Sequence, residues 1–409
     1  MPSSKGGGKE LSIKYIGGDP QNGILYDWKR IKKEYKKLKC PKDVYDPLKC
    51  DWSLSRFNVA LSDRSRGKTT NPLLVAMIMY RDYLTTPHYL RNTKDQCRPM
   101  MMQDLFETIR EYRYVSRIFG EDWNDLDYYA KRWCLVYRDE SGKILRAADR
   151  PVLVCFGIDE HQDLKSVYNA PRGDIILFDE FIETTYRYNS FFNFKNMLKT
   201  IVRDRQSAVC YMMANTTNRE TPWFDDMMIR DYITGIEQGQ ARYIEAGDGV
   251  RYYIDILPPD QSERRKLVNE LYFGHGNPKL ASITGQAMWS TEDYPHIPPY
   301  KEDEPEIVYN RLYMQHAGRL LQLQLVRREL GLAVHVVPAR RTYGDSWILT
   351  SGFITDPRQL FGAGPKDTIL DTYWRLYKAN RWFYATNSEG SVVSSYIKYL
   401  KTLQRERMI

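Results

Sequence analysis

The chain has 409 residues, a formal net charge of +8, 42% hydrophobic residues and 13% aromatic residues. This length predicts two or three domains, and the composition excludes a disordered chain because it can fill packed cores. No apolar run reaches the ~20 residues that span a bilayer, and the N-terminus lacks the apolar core of a signal peptide, so we expect a cytoplasmic protein. The six cysteines contain no CxxC pair, which favours reduced thiols and disfavours a zinc site.

Most of the positive charge lies near the N-terminus. Residues 1–50 contain twelve basic and six acidic residues, which is +6 of the net +8, and the densest stretch is "KRIKKEYKKLK", residues 29–39. We interpret residues 1–50 as a basic N-terminal extension. Such a segment indicates either a polyanionic partner, a nucleic acid or a phosphorylated surface, or the solvated face of a helix, and the sequence leaves both readings open.

From residue 51 onward, apolar strand-like runs alternate with helical patterns. Strands are predicted at 57–61, 88–92, 152–158, 174–181 and 208–215, helices at 69–83, 104–119 and 189–203, and a hairpin at 132–145. The alternation predicts an α/β domain over residues 51–260, and the continuous apolar strands predict a parallel sheet that is covered on both faces.

The pattern changes after residue 257. "LPPDQ" (257–261) marks a break, residues 262–273 predict a short charged helix, and the proline-rich stretch 293–306 predicts a linker. Beyond it, "LAVHVVPARR" and "SWILTSGFI" are strand-like, whereas residues 368–383 and 392–408 have a helical pattern. These elements predict a second, smaller α/β or α+β domain over residues 299–409.

The first chemical motif follows the strand at 57–61. Gly67-Lys68-Thr69 lies between a strand and a helix, which is the order of a phosphate-binding loop, although Ser62 stands where the opening glycine is usual. Lys68 would contact the β- and γ-phosphates of ATP, and the Thr69 hydroxyl would ligate Mg²⁺. The predicted nucleotide-binding residues are Ser62, Asp63, Arg64, Ser65, Arg66, Gly67, Lys68, Thr69 and Thr70.

The second motif is "IILFDEF", in which an apolar strand ends in two carboxylates. Open α/β sheets bind ligands at the carboxyl ends of their strands, so Asp179 fits the metal-binding role and Glu180 fits the base that activates a water. Acidic residues also end strands for purely structural reasons. With the loop at Lys68, however, the pair predicts an ATP hydrolase, since a kinase that excludes water needs no such glutamate.

Two polar positions follow further along the chain. Arg203 and Arg205 lie at the end of the helix after the acidic pair, where ring ATPases present an arginine to the neighbouring subunit. They could instead interact with the helix dipole. Asn215 ends the next strand, where its side chain would either sense the nucleotide or cap a turn.

The stretches "VALSDRSRGKTT", "IILFDEFIE", "TIVRDRQSAVCYMMANT" and "SERRK" (262–266) follow one another as in a known family. Over residues 56–270 the chain resembles the genome-packaging, or DNA encapsidation, ATPases of small tailed phages, which are relatives of the large terminase ATPases. The resemblance implies Walker A roles for Lys68 and Thr69 and Walker B roles for Asp179 and Glu180.

The resemblance also implies roles for residues outside these two motifs. Arg203 corresponds to an arginine finger that acts in trans, with Arg205 as the substitute, and Lys165 resembles a second basic residue that acts across the subunit interface. Lys94 resembles a pore-loop lysine that touches the DNA backbone. Asn215 takes the place of a coupling motif, and Arg64 resembles an arginine that reports on the γ-phosphate.

The family's architecture implies an ASCE-type P-loop NTPase domain, a small helical linker domain at 261–298, and an RNase H-like domain at 299–409. Among the acids of the last domain only Asp356 follows an apolar strand, so we expect a vestigial nuclease. The implied cofactor is Mg²⁺ with ATP. The implied partners are double-stranded DNA, the portal vertex of the prohead and a structural prohead RNA.

The resemblance further implies a homo-oligomeric ring, a pentamer in this family, that works in the host cytoplasm while attached to the prohead. The expected function is ATP-driven translocation of viral DNA into a preformed prohead. Two alternatives stay open at this stage: a terminase-type motor with an active C-terminal nuclease, and a nucleotide-gated structural subunit of the capsid vertex.

Overall fold

We describe the protein from a computed structural model. The described residues are 13–41, 44–52, 54–62, 66–165, 173–182, 190–215, 221–258, 267, 294–298, 300, 304–316, 318–352, 354–361 and 368–405. They fall into two compact units. The first contains the described residues within 1–181, 190–215 and 236–261, and the second contains those within 182–189, 216–235 and 262–409.

The first unit is built on a nine-stranded sheet. Its strands are β1 Phe57–Ser62, β2 His88–Arg91, β3 Asp125–Tyr129, β4 Arg132–Arg138, β5 Ile144–Gly157, β6 Ile175–Asp179, β7 Val209–Asn215, β8 Ala241–Glu245 and β9 Arg251–Ile256. The order is β3-β4-β5-β2-β6-β7-β1-β9-β8. The six central strands, β5-β2-β6-β7-β1-β9 in this order, are parallel. The pairs at the two margins, β3–β4, β4–β5 and β8–β9, are antiparallel.

The parallel centre follows from the apolar strands. Every residue of β1 and β6 is buried, as is β7 up to Asn215, which is the pattern of a sheet that is covered on both faces. The predicted parallel-rich α/β sheet is therefore confirmed. The sequence did not predict β3, β8 or β9. The marginal strands β3 and β8 are half-exposed and carry charged side chains, and the largely buried β9 contains Arg251 and Asp255, which interrupt its apolar run.

The helices of the first unit are α1 Trp28–Lys37, α2 Thr70–Tyr83, α3 Pro99–Met102, α4 Glu107–Glu111, α5 Tyr114–Phe119, α6 His161–Leu164 and α7 Ser190–Val202. Helix α2 is buried on all sides from Asn71 to Tyr80. The predicted continuous helix at 104–119 is wrong: Arg113 adopts a left-handed φ of 51°, which separates α4 from α5.

The described part of the N-terminal segment belongs to this core. Ile24, Ile31, Tyr35, Leu38 and Tyr45 are buried in the same hydrophobic cluster as α2. The segment predicted as an extension is therefore, from residue 13 onward, packed on the α/β unit by its apolar side chains.

The second unit contains a six-stranded sheet, whose strands are β10 Ile307–His316, β11 Arg319–Arg328, β12 Gly331–Pro338, β13 Trp347–Thr350, β14 Gln359–Phe361 and β15 Trp382–Tyr384. The order is β14-β13-β10-β11-β12-β15. Strands β10, β11 and β12 form an antiparallel meander, whereas β13 and β14 run parallel to β10, and β15 runs parallel to β12.

The helices of this unit are α8 Pro222–Asp226, α9 Arg230–Thr234, α10 Ile369–Lys378 and α11 Asn387–Arg405. Tyr373 of α10 and Tyr396 of α11 are buried in one core with the sheet. The predicted helix at 368–383 is too long, because Asn380 adopts a φ of 55° and the following residues pair with β12 as β15. The predicted strands around β12 and β13 are confirmed, and the β10–β11 hairpin was missed.

Other predictions fall on residues that are not described. The helix at 262–273 lies outside the described residues apart from position 267, as does most of the segment at 261–298. Within the described residues, no helix is long and apolar enough to cross a membrane.

Candidate nucleotide-binding site

The predicted site residues meet at one edge of the nine-stranded sheet. Strand β7 lies between β1, which leads into the glycine-lysine-threonine loop, and β6, which ends in the acidic pair. Ser62 is aligned with Asn215, and Asp179 is aligned with Met213. Because these strands are parallel, their carboxyl ends come together where α/β sheets bind ligands.

The loop after β1 places Lys68 beside the end of the neighbouring strand β7. Gly67 has a φ of 71°, a conformation that glycine adopts without strain, and its carbonyl accepts a hydrogen bond from the backbone N–H of Asn71 at 3.0 Å. The Lys68 ammonium is buried and donates to Asn215 Oδ1 at 2.6 Å. The predicted phosphate-binding lysine and coupling residue are thus in direct contact. Asp63, Arg64 and Ser65 lie outside the described residues.

Thr69 and Asp179 form the second contact across the edge. The Thr69 hydroxyl lies 3.2 Å from both carboxylate oxygens of Asp179, and Tyr89 on β2 donates its hydroxyl to Oδ2 at 2.5 Å. Burial raises the pKa of Asp179 above its ordinary value, although Arg91 and the Tyr89 hydroxyl act in the opposite direction. The carboxylate therefore needs positive charge nearby to be ionised.

Arg91 supplies that charge, and the sequence analysis missed it. Its guanidinium spans the acidic pair, with Nη1 at 3.2 Å from Asp179 Oδ2 and Nη2 at 2.5 Å from Glu180 Oε2. The neighbouring Asn92 donates its side-chain amide to the Glu180 carbonyl at 2.7 Å. The available signal resembled that for Asp179: Arg91 ends the buried strand β2, and Asn92 follows it.

Glu180 leaves the strand in an unusual conformation. Its φ is 51°, in the left-handed region, which costs about 1 kcal/mol for a residue with a side chain. Its N–H donates to Asp179 Oδ1 at 3.0 Å. The turn leaves 46% of the Glu180 side chain exposed, against 6% for Asp179, so Glu180 can meet a water that Asp179 cannot reach.

The donor set at this edge fits Mg²⁺. A threonine hydroxyl and a carboxylate are hard oxygen ligands, and protein sites for Mg²⁺ bound to nucleotides use one or two such groups together with phosphate oxygens and water. Among the described residues, no group of three or more histidine, cysteine or acidic side chains could hold a metal without a nucleotide. Thr69 and Asp179 are therefore the residues that would hold the ion.

The N-terminal segment braces the loop from outside. The Tyr45 N–H donates to the Arg66 carbonyl at 2.8 Å, and the Asn71 side chain donates to the Tyr45 carbonyl. A Cβ on Gly67 would lie 3.1 Å from Val44 Cβ, so the segment packs closely on the loop.

Trp52 precedes the strand that leads into the phosphate loop, but its ring cannot contact a nucleotide base. It is fully buried, stacks on Tyr211 at 4.7 Å, and donates its indole N–H to the Pro47 carbonyl at 2.7 Å. A ring that is enclosed on both faces by the core cannot contact a nucleotide base.

The two candidate finger arginines lie in different environments. Arg203 follows α7 with a φ of 53° and is exposed. Arg205 is held inside the unit, with Nε at 2.6 Å from Oδ1 of the buried Asp174, which also accepts hydrogen bonds from Tyr26 at 3.1 Å and from Ser207. Arg205 is therefore engaged within its own unit, whereas Arg203 is exposed.

The remaining predicted residues lie in two loops at the same edge. Lys94 is exposed in the turn after β2, and Lys165 is exposed at the end of α6. Asp159, just before α6, accepts a hydrogen bond from the Lys94 N–H at 2.8 Å. The turn of Lys94 is therefore bonded to the segment that leads into α6, at whose other end Lys165 lies. Thr70 begins α2, and Ser62 is buried at the end of β1.

Comparisons by sequence found no match: no family model matches the chain, and no curated protein does. Comparison by structure found clear similarity. The chain is similar to the structure described as the Phi-28 gp11 DNA packaging motor, with 18% identity and a TM-score of 0.52, over 88% of this chain and 99% of that one. It is also similar to the bacteriophage Phi-29 viral genome packaging motor assembly, with 16% identity and a TM-score of 0.53, over 88% of this chain and 100% of that one.

At these identities the likeness establishes the fold. The chain has the fold of the packaging motor subunits, and the alignment extends over nearly the full length of both neighbours. The resemblance to phage packaging ATPases that the motifs predicted is confirmed at this level.

Proposed function

We propose that the protein is an ATP-driven motor subunit that translocates double-stranded DNA into a preformed prohead during phage genome packaging. The observation that carries the proposal is the acidic pair Asp179–Glu180 beside the loop of Lys68 and Thr69, with hydrogen bonds that join the two motifs. The fold likeness to two DNA packaging motors supports the choice among ATP hydrolases.

The strand order supports an ASCE-type ATPase, since β7 is inserted between the strand of the phosphate loop and the strand of the acidic pair. Lys68 neutralises the β- and γ-phosphates, and Asn215, now bonded to Lys68, responds when the ammonium turns to a nucleotide. Mg²⁺ held by Thr69 and Asp179 would supply a Lewis acid for the phosphates. Glu180 accepts the proton of the attacking water.

The Arg91–Glu180 ion pair restrains this step. One carboxylate oxygen of Glu180 lies 2.5 Å from the Arg91 guanidinium and is therefore occupied by the ion pair. The pair has to open before Glu180 can orient a water, and Arg91 lies in the strand that leads to the loop of Lys94. Arg91, which pairs with the catalytic glutamate, is therefore only three residues before Lys94 in the DNA-contacting loop.

The assembly that we propose is a ring, a pentamer by family resemblance, in which Arg203 of one subunit completes the ATP site of the next and Lys165 assists it. Lys94 contacts DNA phosphates without reading sequence, as a translocating protein requires. The ring would be attached to the portal vertex of the prohead and to a structural RNA there, in the cytoplasm of the host.

For the second unit we propose an RNase H-like domain that no longer cuts DNA. The order β12-β11-β10-β13-β14, an antiparallel meander followed by two strands parallel to β10, supports the RNase H-like assignment. No cluster of carboxylates that could hold metal ions occurs among its described residues. Asp356 is engaged by Arg358, with Oδ2 at 2.5 Å from Nη2, which lowers the pKa of Asp356 to about 2.

The test is ATP hydrolysis by the purified chain, alone and with double-stranded DNA. Glu180→Gln is expected to lower turnover by roughly 10²- to 10⁴-fold, while a fluorescent ATP analogue still binds. Glu245→Gln is the matched control, because Glu245 is an exposed glutamate on the marginal strand β8.

Two outcomes would contradict the proposal. Wild-type turnover by the Glu180→Gln variant would remove Glu180 from the mechanism. Absence of turnover in the parent protein, with DNA and with proheads, would favour the nucleotide-gated structural subunit instead.

A further inference from the structure

Helix α1 is an amphipathic helix that is fixed to the first unit by one face. Ile31 and Tyr35 are buried against the core that contains α2. Polar contacts secure the sides of the helix: Arg30 pairs with Asp82 at 3.3 Å, and Glu34 pairs with Arg81 at 3.2 Å. The orientation of the helix is therefore set, and so is the face that it presents to solvent.

That outer face consists of lysines alone. Every exposed residue of α1 is a lysine, namely Lys29, Lys32, Lys33, Lys36 and Lys37. At 100° per residue they occupy an arc of about 140°, and at 1.5 Å per residue they extend over about 12 Å of helix. We call this set the lysine face.

Little negative charge compensates the lysine face. Lys37 pairs with Glu34 at 2.5 Å, and Glu34 is the only acid within α1. In the part of the chain that the structure describes, Lys29, Lys32, Lys33 and Lys36 have no carboxylate within ion-pair distance. Four ammonium groups held on one side of a fixed helix form a local positive field that attracts a polyanion.

The residue type indicates which polyanion. Protein interfaces are enriched in aromatic residues and arginine and depleted in lysine, and the lysine face offers no apolar side chain to bury. Ammonium groups on flexible stems suit phosphates, which they contact without reading sequence. An α-helix also fits the ~12 Å major groove of B-form DNA, whereas the major groove of an RNA duplex is too narrow for side chains to enter.

We propose that the lysine face of α1 is a second binding surface for the backbone of double-stranded DNA, separate from the loop of Lys94. The inference rests on the proposed function for its ligand, DNA. The lysine face contains none of the residues of the ATP site. Further along the same segment, Val44 and Tyr45 pack on the phosphate loop, so the proposed DNA contact and the contact with this loop lie in one N-terminal segment.

The experiment measures DNA binding by the full-length chain without nucleotide. A fluorescein-labelled DNA duplex of mixed sequence, and an RNA duplex of the same sequence, are titrated at several salt concentrations and followed by fluorescence anisotropy. The variant carries Lys29→Gln, Lys32→Gln, Lys33→Gln and Lys36→Gln, which keep a good helix former at each position. The control carries Lys14→Gln, Arg56→Gln, Lys143→Gln and Arg242→Gln, four exposed positions of the same unit that are dispersed in sequence.

Both variants lose the same total charge, so only the place of the charge differs. The lysine-face variant is expected to bind DNA roughly tenfold or more weakly, with a slope of log affinity against log salt reduced by about 3.6 if all four lysines contact phosphates. The control is expected to stay close to the parent protein. Circular dichroism confirms that both are folded.

Equal losses in the two variants would overturn the proposal, because net charge alone would then explain the binding. Unchanged DNA affinity of the lysine-face variant would overturn it too, as would a loss confined to the RNA duplex. No ATP is used, so the result is independent of the test of hydrolysis. If the parent protein does not hydrolyse ATP but the lysine-face variant binds DNA more weakly, the motor function is refuted and the DNA-binding surface is retained.

Discussion

The two sheets of this protein end in different chemistry at comparable edges. In the nine-stranded sheet, the parallel strands β2, β6 and β7 end in Arg91, Asp179 and Asn215. Arg91 pairs with Asp179, and Asp179 and Asn215 are hydrogen-bonded to the phosphate loop. In the six-stranded sheet, the parallel strands β10 and β13 end at His316 and Thr350. His316 is bonded to two serine hydroxyls, those of Ser351 at 2.7 Å and Ser395 at 3.0 Å.

Burial acts on both edges, and the outcome depends on the partners. Burial, together with the positive charge of Arg230, lowers the pKa of His316 to about 3, so that the ring stays neutral between its two serine hydroxyls. Burial also raises the pKa of Asp179, but there a guanidinium and a tyrosine hydroxyl oppose it. A sheet edge whose charges compensate one another can accept a charged ligand. An edge whose buried polar groups form hydrogen bonds with neutral groups serves as part of the packed core.

The largest expected effect tests whether the charged edge is completed by a neighbouring subunit. Arg203→Ala and Lys68→Ala are each expected to lower ATP turnover by roughly 10³-fold or more, since an arginine finger contributes that much to phosphoryl transfer. A mixture of the two variants should recover activity, because some interfaces then combine an intact Lys68 with an intact Arg203. Steady-state ATPase rates of both variants and of their mixtures provide the measurement.

Arg205→Ala is the control for position. The substitution removes the ion pair with Asp174, so we expect the fold to be less stable. A mixture of Arg205→Ala with Lys68→Ala should show the same ATP turnover as a mixture of the parent chain with Lys68→Ala. If mixtures of Arg203→Ala with Lys68→Ala remain as inactive as the separate variants, the arginine does not act between subunits.

The next effect concerns Arg91, which compensates the acidic pair. Arg91→Met keeps the apolar stem and removes the charge, and it leaves the buried carboxylate of Asp179 without its guanidinium. We expect the free energy of unfolding to fall by about 3 kcal/mol, the lower end for breaking a largely buried ion pair. Urea denaturation at neutral pH gives the value.

Arg98→Met is the matched control for this change. Arg98 pairs with Asp95 at 2.7 Å, but the two side chains are 67% and 65% exposed, so the loss should stay below about 0.5 kcal/mol. Similar losses in the two variants would show that the Arg91 pair is as weak as a surface pair.

A smaller effect tests the neutral edge by pH. The folded His316 has a pKa of about 3, below the ordinary 6.5, so only the unfolded chain takes up a proton as the pH falls below 6.5. Stability is therefore lost with acidification, by roughly 1.5 kcal/mol for this group between pH 6.5 and pH 5. His316→Gln should remove that part of the pH dependence.

Urea denaturation of the parent and the variant across this pH range provides the measurement. His88 in the other unit also has a pKa of about 3, lowered by burial, so the parent protein keeps a second slope of the same sign that the variant should retain. Identical pH dependence of parent and variant would contradict the assignment of a neutral His316.

The smallest effect is expected at Asp356. Its carboxylate forms a partly exposed local pair with Arg358, so Asp356→Asn should change neither stability nor the amount of plasmid nicking in the presence of Mg²⁺ or Mn²⁺. Nicking by the parent protein that the substitution abolishes would show that the second unit is an active nuclease.

Local sequence signals were sufficient for part of the site. Lys68 and Thr69 lie at a strand-to-helix junction, and Asp179 and Glu180 follow a wholly apolar strand, so neighbours in the sequence already indicate their environment. Arg91 was missed because an arginine after a strand is unremarkable until β2 is known to lie beside β6. Arg205 could not be separated from Arg203 for a similar reason, since Asp174 and Tyr26 are distant from it in the sequence.

The same limit applies to the fold. The apolar runs of β1, β6 and β7 predicted a parallel sheet, but their order could not be read from them. The basic stretch at 29–39 indicated either a polyanionic partner or a solvated helix face, but not which side the lysines would face. That side was decided by Ile31 and Tyr35, which are buried against residues of α2 some 40 positions away.

The sequence by itself determined the chemistry that is available: a phosphate-binding loop, a pair of carboxylates and a set of candidate cations, each recognisable from its immediate neighbours. The tertiary structure decided which of these groups meet. It joined Lys68 to Asn215, Thr69 to Asp179, and Arg91 to both carboxylates. The physical reason is that hydrogen bonds and ion pairs act over a few ångströms, so their partners depend on strand order and burial, which no short stretch of sequence contains.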